Sequence, residues 1–132
     1  MIEIDKKVFR GNDIRGKVNI DITDEFAYVI GLAFGSYIKE NNRSKCVVGH
    51  DNRPSSPSLC KNLIKGITET GVDVLSLGLV TSPMFYFAGM KNNIDSGVMV
   101  TASHNPSSDN GFKIIFKDYN NACGNEINEF YE

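Results

Sequence analysis

Residues 97–106 decide the fold that the sequence predicts, and they read Gly97-Val98-Met99-Val100-Thr101-Ala102-Ser103-His104-Asn105-Pro106. The first four residues carry no polar side chain, which is typical of a strand buried on both faces of a parallel sheet. The chain leaves the sheet at Thr101, so Ser103 is expected at a strand end. Ligands of open α/β sheets bind outside the carboxyl ends of the strands, and Ser103 is therefore a candidate functional residue.

Strands and helices alternate along the rest of the chain. Strands are predicted at 8–10, 46–49, 73–77, 96–100 and 112–116, with the last a candidate antiparallel strand. Helices are predicted from the Thr23 cap to Asn41, from Ser55-Ser56-Pro57 to Gly71, from Ser82 to about Lys91, and from Asn125 to Glu132. In the second of these a serine is the expected cap and Pro57 the expected first helical residue. The order predicts a three-layer α/β/α domain with a mixed, mainly parallel sheet, spanning residues 1–132. Gly31 would let the first helix approach a neighbour closely.

Composition narrows the functional class. The chain has 132 residues and a formal charge of −2, and it contains no dense Lys/Arg cluster, which argues against a nucleic-acid partner. We find neither a secretory signal nor an apolar stretch of about 20 residues, so a cytoplasmic protein without a membrane partner is predicted. Cys46, Cys60 and Cys123 form no Cys-x-x-Cys pair, and Cys46 and Cys60 are expected to be small buried hydrophobes.

Polar clusters at three predicted strand ends, 10–16, 49–56 and 101–113, could meet in one site. Asn110-Gly111 would permit a turn with positive φ that brings Lys113 back toward Ser103. A serine hydroxyl opposite a lysine and an arginine suits phosphoryl chemistry, in which the protein positions groups and stabilises charge. The Gly-x-Ser-x-Gly elbow of hydrolases and the glycine-rich phosphate loops are absent.

Each candidate also has a purely structural interpretation. Ser103 could be a turn serine, His104 a loop hydrogen-bonding residue rather than an acid or base, and Lys113 a solvated cation. Arg15 could simply be a surface residue. Asp13 and the flanking glycine instead favour a fixed guanidinium group that makes bidentate contact with phosphate oxygens.

The loop after the second predicted strand has two interpretations of its own. Asp51 and Arg53 could contribute to a shared site, or they could pair with each other and only fix their own loop. The residues alone leave this choice open.

These motifs resemble those of the α-D-phosphohexomutases, the phosphoglucomutase/phosphomannomutase superfamily, and are most similar to the bacterial branch. Residues 101–106 are similar to the family's phosphoserine loop. Three further motifs occur in family order: Asp13-Ile14-Arg15-Gly16 after Phe9-Arg10, Gly49-x-Asp51-x-Arg53, and Asn110-Gly111-Phe112-Lys113. Asn12 and Asp109 depart from the pattern, since tyrosine is frequent at both places.

The resemblance implies that Ser103 passes a phosphoryl group to a hexose phosphate and takes it back through a hexose bisphosphate. It implies Mg²⁺ on the Ser103 phosphate, with Lys113 and Arg15 around the reacting centre and His104 and Asn105 supporting the loop. The further residues that it assigns to substrate or loop support are Thr101, Asn110, Asp13, Asp51 and Arg53.

The resemblance covers only the first of the family's four domains. The family's Asp-rich metal loop and sugar-reading loop have no counterpart in this sequence, so the isolated domain is expected to be inactive. The choice between glucose and mannose as the sugar stays open. The competing hypothesis is a stand-alone module that binds a phosphosugar or a partner without catalysis. An exposed apolar face would favour the multidomain enzyme.

Overall fold

The computed structural model describes residues 14–102, 108–117 and 120–121. The strands are β1 (Ile14–Lys17), β2 (Lys45–His50), β3 (Asp73–Leu79), β4 (Gly97–Val100), β5 (Asp109–Lys117) and β6 (Asn120–Asn121). The helices are α1 (Asp24–Glu40), α2 (Ser56–Glu69) and α3 (Ser82–Lys91). The predicted strand at 8–10 and the predicted helix at 125–132 lie outside the described residues.

The sheet has the strand order β1-β5-β4-β2-β3, and β6 pairs with β5. β2 is parallel to β3 and to β4, whereas β5 is antiparallel to both β1 and β4. The carboxyl ends of β2, β3 and β4 therefore lie at the same edge as the start of β5. The predictions of a mixed, mainly parallel sheet and of an antiparallel strand after β4 are confirmed.

Helices cover both faces of this sheet. Side chains from α1 and α2 pack with Val98, Val100 and Phe112 on one face, and Phe85 of α3 packs with Met99 on the other. All four residues of β4 are buried, as their apolar sequence predicts. The three-layer α/β/α architecture is confirmed.

Two glycines let α1 and α2 cross closely. A Cβ atom on Gly31 would meet the carbonyl oxygen of Leu63, and one on Gly66 would meet the carbonyl oxygen of Tyr28. In each case the obstacle is backbone, which cannot rotate away as a side chain can. The close approach predicted for Gly31 is confirmed, and its neighbour is α2.

The two predicted serine and threonine caps differ in outcome. Thr23 caps α1, because its hydroxyl accepts a hydrogen bond from the Phe26 amide at 3.0 Å. Ser55 precedes α2 in a helical conformation and makes no capping hydrogen bond, and Pro57 is the second helical residue rather than the first. The Ser56 hydroxyl donates to Asp51 instead, so the serine cap predicted within Ser55-Ser56-Pro57 is wrong.

The end of the predicted polar cluster 10–16 and the predicted turn at Asn110-Gly111 are part of the sheet instead. Ile14 and Arg15 belong to β1 and pair with Phe112 and Gly111 of β5. Asn110 and Gly111 likewise lie inside β5, and Gly111 does not have a positive φ. The turn expected at Asn110-Gly111 is wrong because the pairing with β1 holds both residues in extended backbone.

The cysteines behave as the sequence predicts. Cys46 and Cys60 are both buried, and burial raises the pKa of Cys46 to about 12 and that of Cys60 to about 11. Both therefore remain uncharged thiols at neutral pH. Cys123 lies outside the described residues.

None of the described helices is both long enough and apolar enough to cross a membrane.

Candidate functional site

Asp51 is the centre of a hydrogen-bond network at the carboxyl edge of the sheet. Its Oδ1 accepts from the Ser56 hydroxyl at 2.5 Å and from the Arg53 amide at 3.1 Å, and its Oδ2 pairs with Arg53 Nε at 2.9 Å. The Thr101 side chain is a further hydrogen-bond donor to the carboxylate. The Asp51 amide donates to the Val100 carbonyl oxygen at 3.1 Å, so the ends of β2 and β4 are joined directly.

The environment of Asp51 favours its charged form. Burial by itself would raise the pKa of this carboxyl, but the hydrogen bonds from Ser56, Thr101 and Arg53 outweigh burial and lower the pKa. Asp51 is therefore ionised at neutral pH and acts as an acceptor. The structural pairing of Asp51 with Arg53 that the sequence left open does occur, and it is one part of this larger network.

Asn110 is a second, fully buried node of the network. Its Nδ2 donates to the Ser55 hydroxyl at 2.8 Å and to the Ser56 hydroxyl at 2.9 Å, and its Oδ1 accepts from the Gly111 amide at 2.8 Å. Both Nδ2 protons and one acceptor position are used, which is what a buried amide requires. The start of β5 is thereby fixed to the first turn of α2.

The network holds the chain on both sides of residues 103–107. Before them, the Thr101 amide donates to the Gly111 carbonyl oxygen at 2.9 Å. After them, Arg53 Nη1 donates to the Asp109 carbonyl oxygen at 3.2 Å. We call the following six residues the stem network: Asp51, Arg53, Ser55, Ser56, Thr101 and Asn110. Three further candidates, Ser103, His104 and Asn105, lie outside the described residues, as does Asp13.

Arg15 and Lys113 share one face of the sheet. Arg15 is opposite Gly111 in the β1–β5 register, and Lys113 is two residues further along β5, so their side chains leave the same face. A Cβ atom on Gly111 would lie 2.7 Å from the Arg15 Cβ. The carbonyl oxygen of Ile14 would be closer still, so glycine at 111 leaves room for the β1 backbone as well as for Arg15.

The structure sorts the predicted site residues into two sets. Asp51, Arg53, Thr101 and Asn110 are joined through the stem network, and the Asn110 side chain faces the α1 and α2 layer. Arg15 and Lys113 leave the opposite face, where Met99, the register partner of Lys113, packs against α3. Asn110 and the two cations therefore lie on opposite faces of the sheet, close to the same edge.

Ser55 and Ser56 lie in the polar cluster predicted at 49–56, but neither is predicted individually as a site residue. Ser-Ser-Pro at a strand-to-helix connection is the ordinary pattern of a helix start, and it was interpreted as such. The signal that could have identified them is Asp51 five residues before Ser56, because a carboxylate at a buried strand end needs hydroxyl donors.

A cleft of about 400 Å³ opens at the same edge, between this site and the start of α3. Asp51, Asn52 and Thr101 line one side of it, and Leu79 and Met84 line the other. The cleft therefore connects the stem network with the α3 layer.

The described residues do not fit a magnesium site. No group of three or more His, Cys, Asp or Glu side chains that could hold a metal ion occurs in residues 14–102, 108–117 and 120–121. The Asp51 oxygens already accept hydrogen bonds from Ser56, Thr101 and Arg53, which leaves little room for the near-octahedral oxygen shell of Mg²⁺.

Comparison with known proteins identifies the family of the chain. The family model described as phosphoglucomutase/phosphomannomutase, alpha/beta/alpha domain I, matches residues 6–132. The chain belongs to this family. The resemblance inferred from the four motifs is thereby confirmed, and it concerns domain I.

Curated relatives agree with this assignment. The chain is 42% identical over 115 residues to a phosphoglucomutase of Neisseria gonorrhoeae, a match that covers 87% of the chain and 25% of the relative. It is 44% identical over 108 residues to a phosphomannomutase/phosphoglucomutase of Pseudomonas aeruginosa, covering 82% of the chain and 23% of that protein. The chain thus spans about a quarter of the length of the curated relatives it matches.

A solved structure shows the same fold. A phosphoglucomutase/phosphomannomutase family protein of Burkholderia thailandensis superposes with a TM-score of 0.88 at 34% identity, over 98% of this chain and 30% of that one.

Proposed function

We propose that Ser103 is the phosphoryl-carrying residue of this domain, and that the whole protein interconverts hexose 1-phosphates and hexose 6-phosphates, of glucose, mannose or both. The observation that carries the proposal is the stem network, which fixes the chain on both sides of residues 103–107 to buried polar groups. A serine that gives and takes back a phosphoryl group needs such fixed flanks, because misplacement of about 1 Å costs large factors in rate. The names of the relatives support the substrate class.

The proposed reaction is balanced in atoms and charge. The bond between phosphorus and the Ser103 oxygen breaks while a hydroxyl oxygen of the hexose phosphate forms a new bond to phosphorus. The proton of that hydroxyl ends on the Ser103 oxygen, and the product is a hexose bisphosphate. The reverse step at the other phosphate returns a phosphoryl group to Ser103 and releases the isomeric monophosphate.

Arg15 and Lys113 are the cations that we assign to this centre. A phosphoserine carries a charge of about −1.5 to −2 at neutral pH. The Arg15 guanidinium suits bidentate contact with phosphate oxygens, whereas the Lys113 ammonium acts as a point charge. Their common face of the sheet allows both to act on one group.

His104 and Asn105 are proposed to support the loop, and Asp13 to support substrate or loop. Mg²⁺ is proposed for the whole protein only, with ligands beyond the residues described above, and we assign no step to it. The isolated chain is proposed to have negligible turnover, because the resemblance implies that the sugar and the metal are bound by other domains.

The test uses a fusion protein, called the Pseudomonas fusion, in which this chain replaces the matching segment of the P. aeruginosa relative. Conversion of glucose 1-phosphate to glucose 6-phosphate is measured for the wild-type fusion, for Ser103→Ala and for Ser108→Ala. Ser108 is an exposed serine five residues further on, so it is a matched control. We expect Ser103→Ala to abolish conversion and Ser108→Ala to retain it.

Mass spectrometry supplies an independent readout. After incubation with glucose 1,6-bisphosphate, the folded wild-type fusion should carry one phosphate that maps to Ser103. Full activity of Ser103→Ala would overturn the proposal, and so would a folded wild-type fusion in which Ser103 takes up no phosphate.

A further inference from the structure

A second cleft, of about 290 Å³, opens between α2 and the edge strand β3. One wall is a single stripe of α2, whose lining residues recur at the helical intervals of three and four. They are Pro57, Cys60, Lys61 and Ile64. The other wall consists of His50 at the end of β2 and of Ser76 and Gly78 on β3. We call this space the α2 cleft.

The side chains that line the α2 cleft favour a negatively charged ligand. Lys61 is exposed and supplies a permanent positive charge, and no carboxylate is among the lining residues. No ion pair to Lys61 occurs in residues 14–102, 108–117 and 120–121. The cleft beside the stem network, by contrast, is lined by the ionised Asp51. The α2 cleft therefore attracts an anion.

His50 adds a directional hydrogen-bonding group to this positive charge. Its Nδ1 atom lies 2.8 Å from the Asp51 carbonyl oxygen. A carbonyl oxygen can only accept, so Nδ1 carries the proton and Nε2 of the neutral ring is an acceptor. No hydrogen bond to Nε2 occurs in the part of the chain that the structure describes. Nε2 is thus available to a hydroxyl group of a ligand.

A β-bulge lies beside His50 at the β3 wall of the cleft. The register between β2 and β3 shifts at Leu77, which has no partner on β2. Gly78 has a φ of 69°, and a Cβ atom there would meet no atom within 4 Å. Glycine is therefore required by the backbone conformation and not by lack of space. Bulges are common at sheet edges and beside functional sites.

We propose that the α2 cleft binds a small organic anion that also carries a hydroxyl group. The anionic group, a phosphate or a carboxylate, pairs with Lys61. The ligand hydroxyl donates to His50 Nε2, and the Ser76 hydroxyl can donate to or accept from the same ligand. The cleft has the volume of about ten water molecules in the liquid, which is more than a bare inorganic anion fills. Pro57 and Ile64 offer apolar surface to the carbon skeleton.

The α2 cleft is separate from the centre proposed for Ser103. Arg15 and Lys113 leave the face of the sheet that α3 covers, whereas this cleft lies on the α2 side. None of the described residues lines both this cleft and the cleft beside the stem network. Binding in the α2 cleft therefore does not depend on the chemistry proposed for Ser103.

Amide chemical-shift mapping tests the proposal on the chain itself. The ¹H–¹⁵N spectrum is recorded during titration with glycerol 3-phosphate, with glycerate and with inorganic phosphate, all at equal ionic strength. The titration reaches about 20 mM, at which a site with a dissociation constant of about 1 mM is nearly full. We expect saturable shifts of the Lys61, Ser76 and Gly78 amides with one or both organic anions. Inorganic phosphate should bind about fivefold more weakly, because it makes fewer contacts.

Two lysine variants examine the charge. Lys61→Gln removes the cation assigned to the ligand and should weaken binding about tenfold. The matched control is Lys65→Gln, one turn further along α2. The Lys65 ammonium lies 5.6 Å from the centre of the Tyr28 ring, and this residue does not line the cleft. Its loss should change the affinity by less than about twofold, because salt screens distant charges.

His50→Asn examines the hydrogen bond. The asparagine amide can still donate to the Asp51 carbonyl oxygen, but the acceptor at the Nε2 position is lost. Binding of the organic anion should weaken about fivefold, the value of one net hydrogen bond.

Each organic anion that binds supports the proposal and identifies the anionic group. Three results would overturn it: no saturable shift of the three amides with either organic anion, inorganic phosphate binding as tightly as both, which would indicate an adventitious ion only, or Lys61→Gln weakening the binding no more than Lys65→Gln. Because Ser103→Ala should leave these shifts unchanged, this proposal and the one for Ser103 can fail separately.

Discussion

At the scale of single residues, Ser56 is the group on which the stem network depends most. It is fully buried, and its one hydroxyl donates to Asp51 and accepts from Asn110. Asp51 lies before residues 103–107 along the chain and Asn110 lies after them. Ser56 is therefore the described residue whose side chain contacts both of these nodes.

We predict that Ser56→Ala lowers the free energy of unfolding by about 1–3 kcal/mol, because it leaves buried polar groups of Asp51 and Asn110 with one partner fewer. Urea unfolding of the chain at neutral pH, followed by circular dichroism, measures this loss. The midpoint should fall while the slope of the transition stays the same.

Ser55→Ala is the matched control for this prediction. Ser55 is the neighbouring residue and also accepts from Asn110, but it makes no contact with Asp51 and is only half-buried. Its removal should cost less than that of Ser56, about 1 kcal/mol or below. A loss for Ser55→Ala equal to or larger than that for Ser56→Ala would show that Asp51 gains little from the Ser56 hydroxyl.

At the scale of elements, the α1–α2 crossing depends on Gly31. Replacing a helical glycine with alanine ordinarily stabilises a helix by about 1 kcal/mol. Here the new methyl group would meet the Leu63 carbonyl oxygen, and overpacking costs about 1–3 kcal/mol. Because the obstacle is backbone, we expect the clash to outweigh the gain and Gly31→Ala to lower the melting temperature.

Ser36→Ala provides the comparison within the same helix. Ser36 is exposed on α1, so alanine there should give the small gain of helix propensity without a clash. Thermal unfolding of Gly31→Ala, Ser36→Ala and the wild type gives the three melting temperatures that test this prediction. A melting temperature of Gly31→Ala that equals or exceeds that of Ser36→Ala would mean that the helices can move apart at little cost.

The elements themselves could be predicted from the sequence because their signals are local. β4 is a run of four apolar residues, α1 begins at a threonine that caps it, and α3 begins at Ser82-Pro83. The alternation of strands and helices then determines the parallel strands and the two covering layers. The family motifs led to the family that the comparison later confirmed.

The errors occurred where a contact distant in sequence overrides a local preference. Asn110-Gly111 favours a turn by itself, but pairing with β1 keeps it in a strand. Ser55-Ser56-Pro57 favours a serine cap by itself, but both serine hydroxyls accept from Asn110, more than 50 residues away. Neither partner can be identified from a window of a few residues, because both depend on the β1–β5 pairing and on the packing of α2.

At the scale of the whole molecule, the described residues fix the chain on both sides of residues 103–107 more fully than they provide groups for the proposed reaction. The polar side chains of the stem network hydrogen-bond to one another, and the carboxylate oxygens of Asp51 accept hydrogen bonds from Arg53 and Ser56. Metal and sugar contacts must then come largely from elsewhere in a working enzyme. The proposed site is thus divided between this domain and other parts of the protein.

Magnesium binding tests this division. We predict that MgCl₂ leaves the melting temperature of the isolated chain nearly unchanged. The reason is that the part of the chain that the structure describes holds no group of three or more His, Cys, Asp or Glu side chains that could bind a metal ion. At about 10 mM MgCl₂, a site with a dissociation constant of about 10 μM would add about 4 kcal/mol and raise the melting temperature by about 10 °C or more. NaCl at equal ionic strength is the control. A shift of that size with MgCl₂ alone would place a tight magnesium site within this chain and contradict the division. In the Pseudomonas fusion, by contrast, conversion of glucose 1-phosphate to glucose 6-phosphate should stop when EDTA is added and return with MgCl₂.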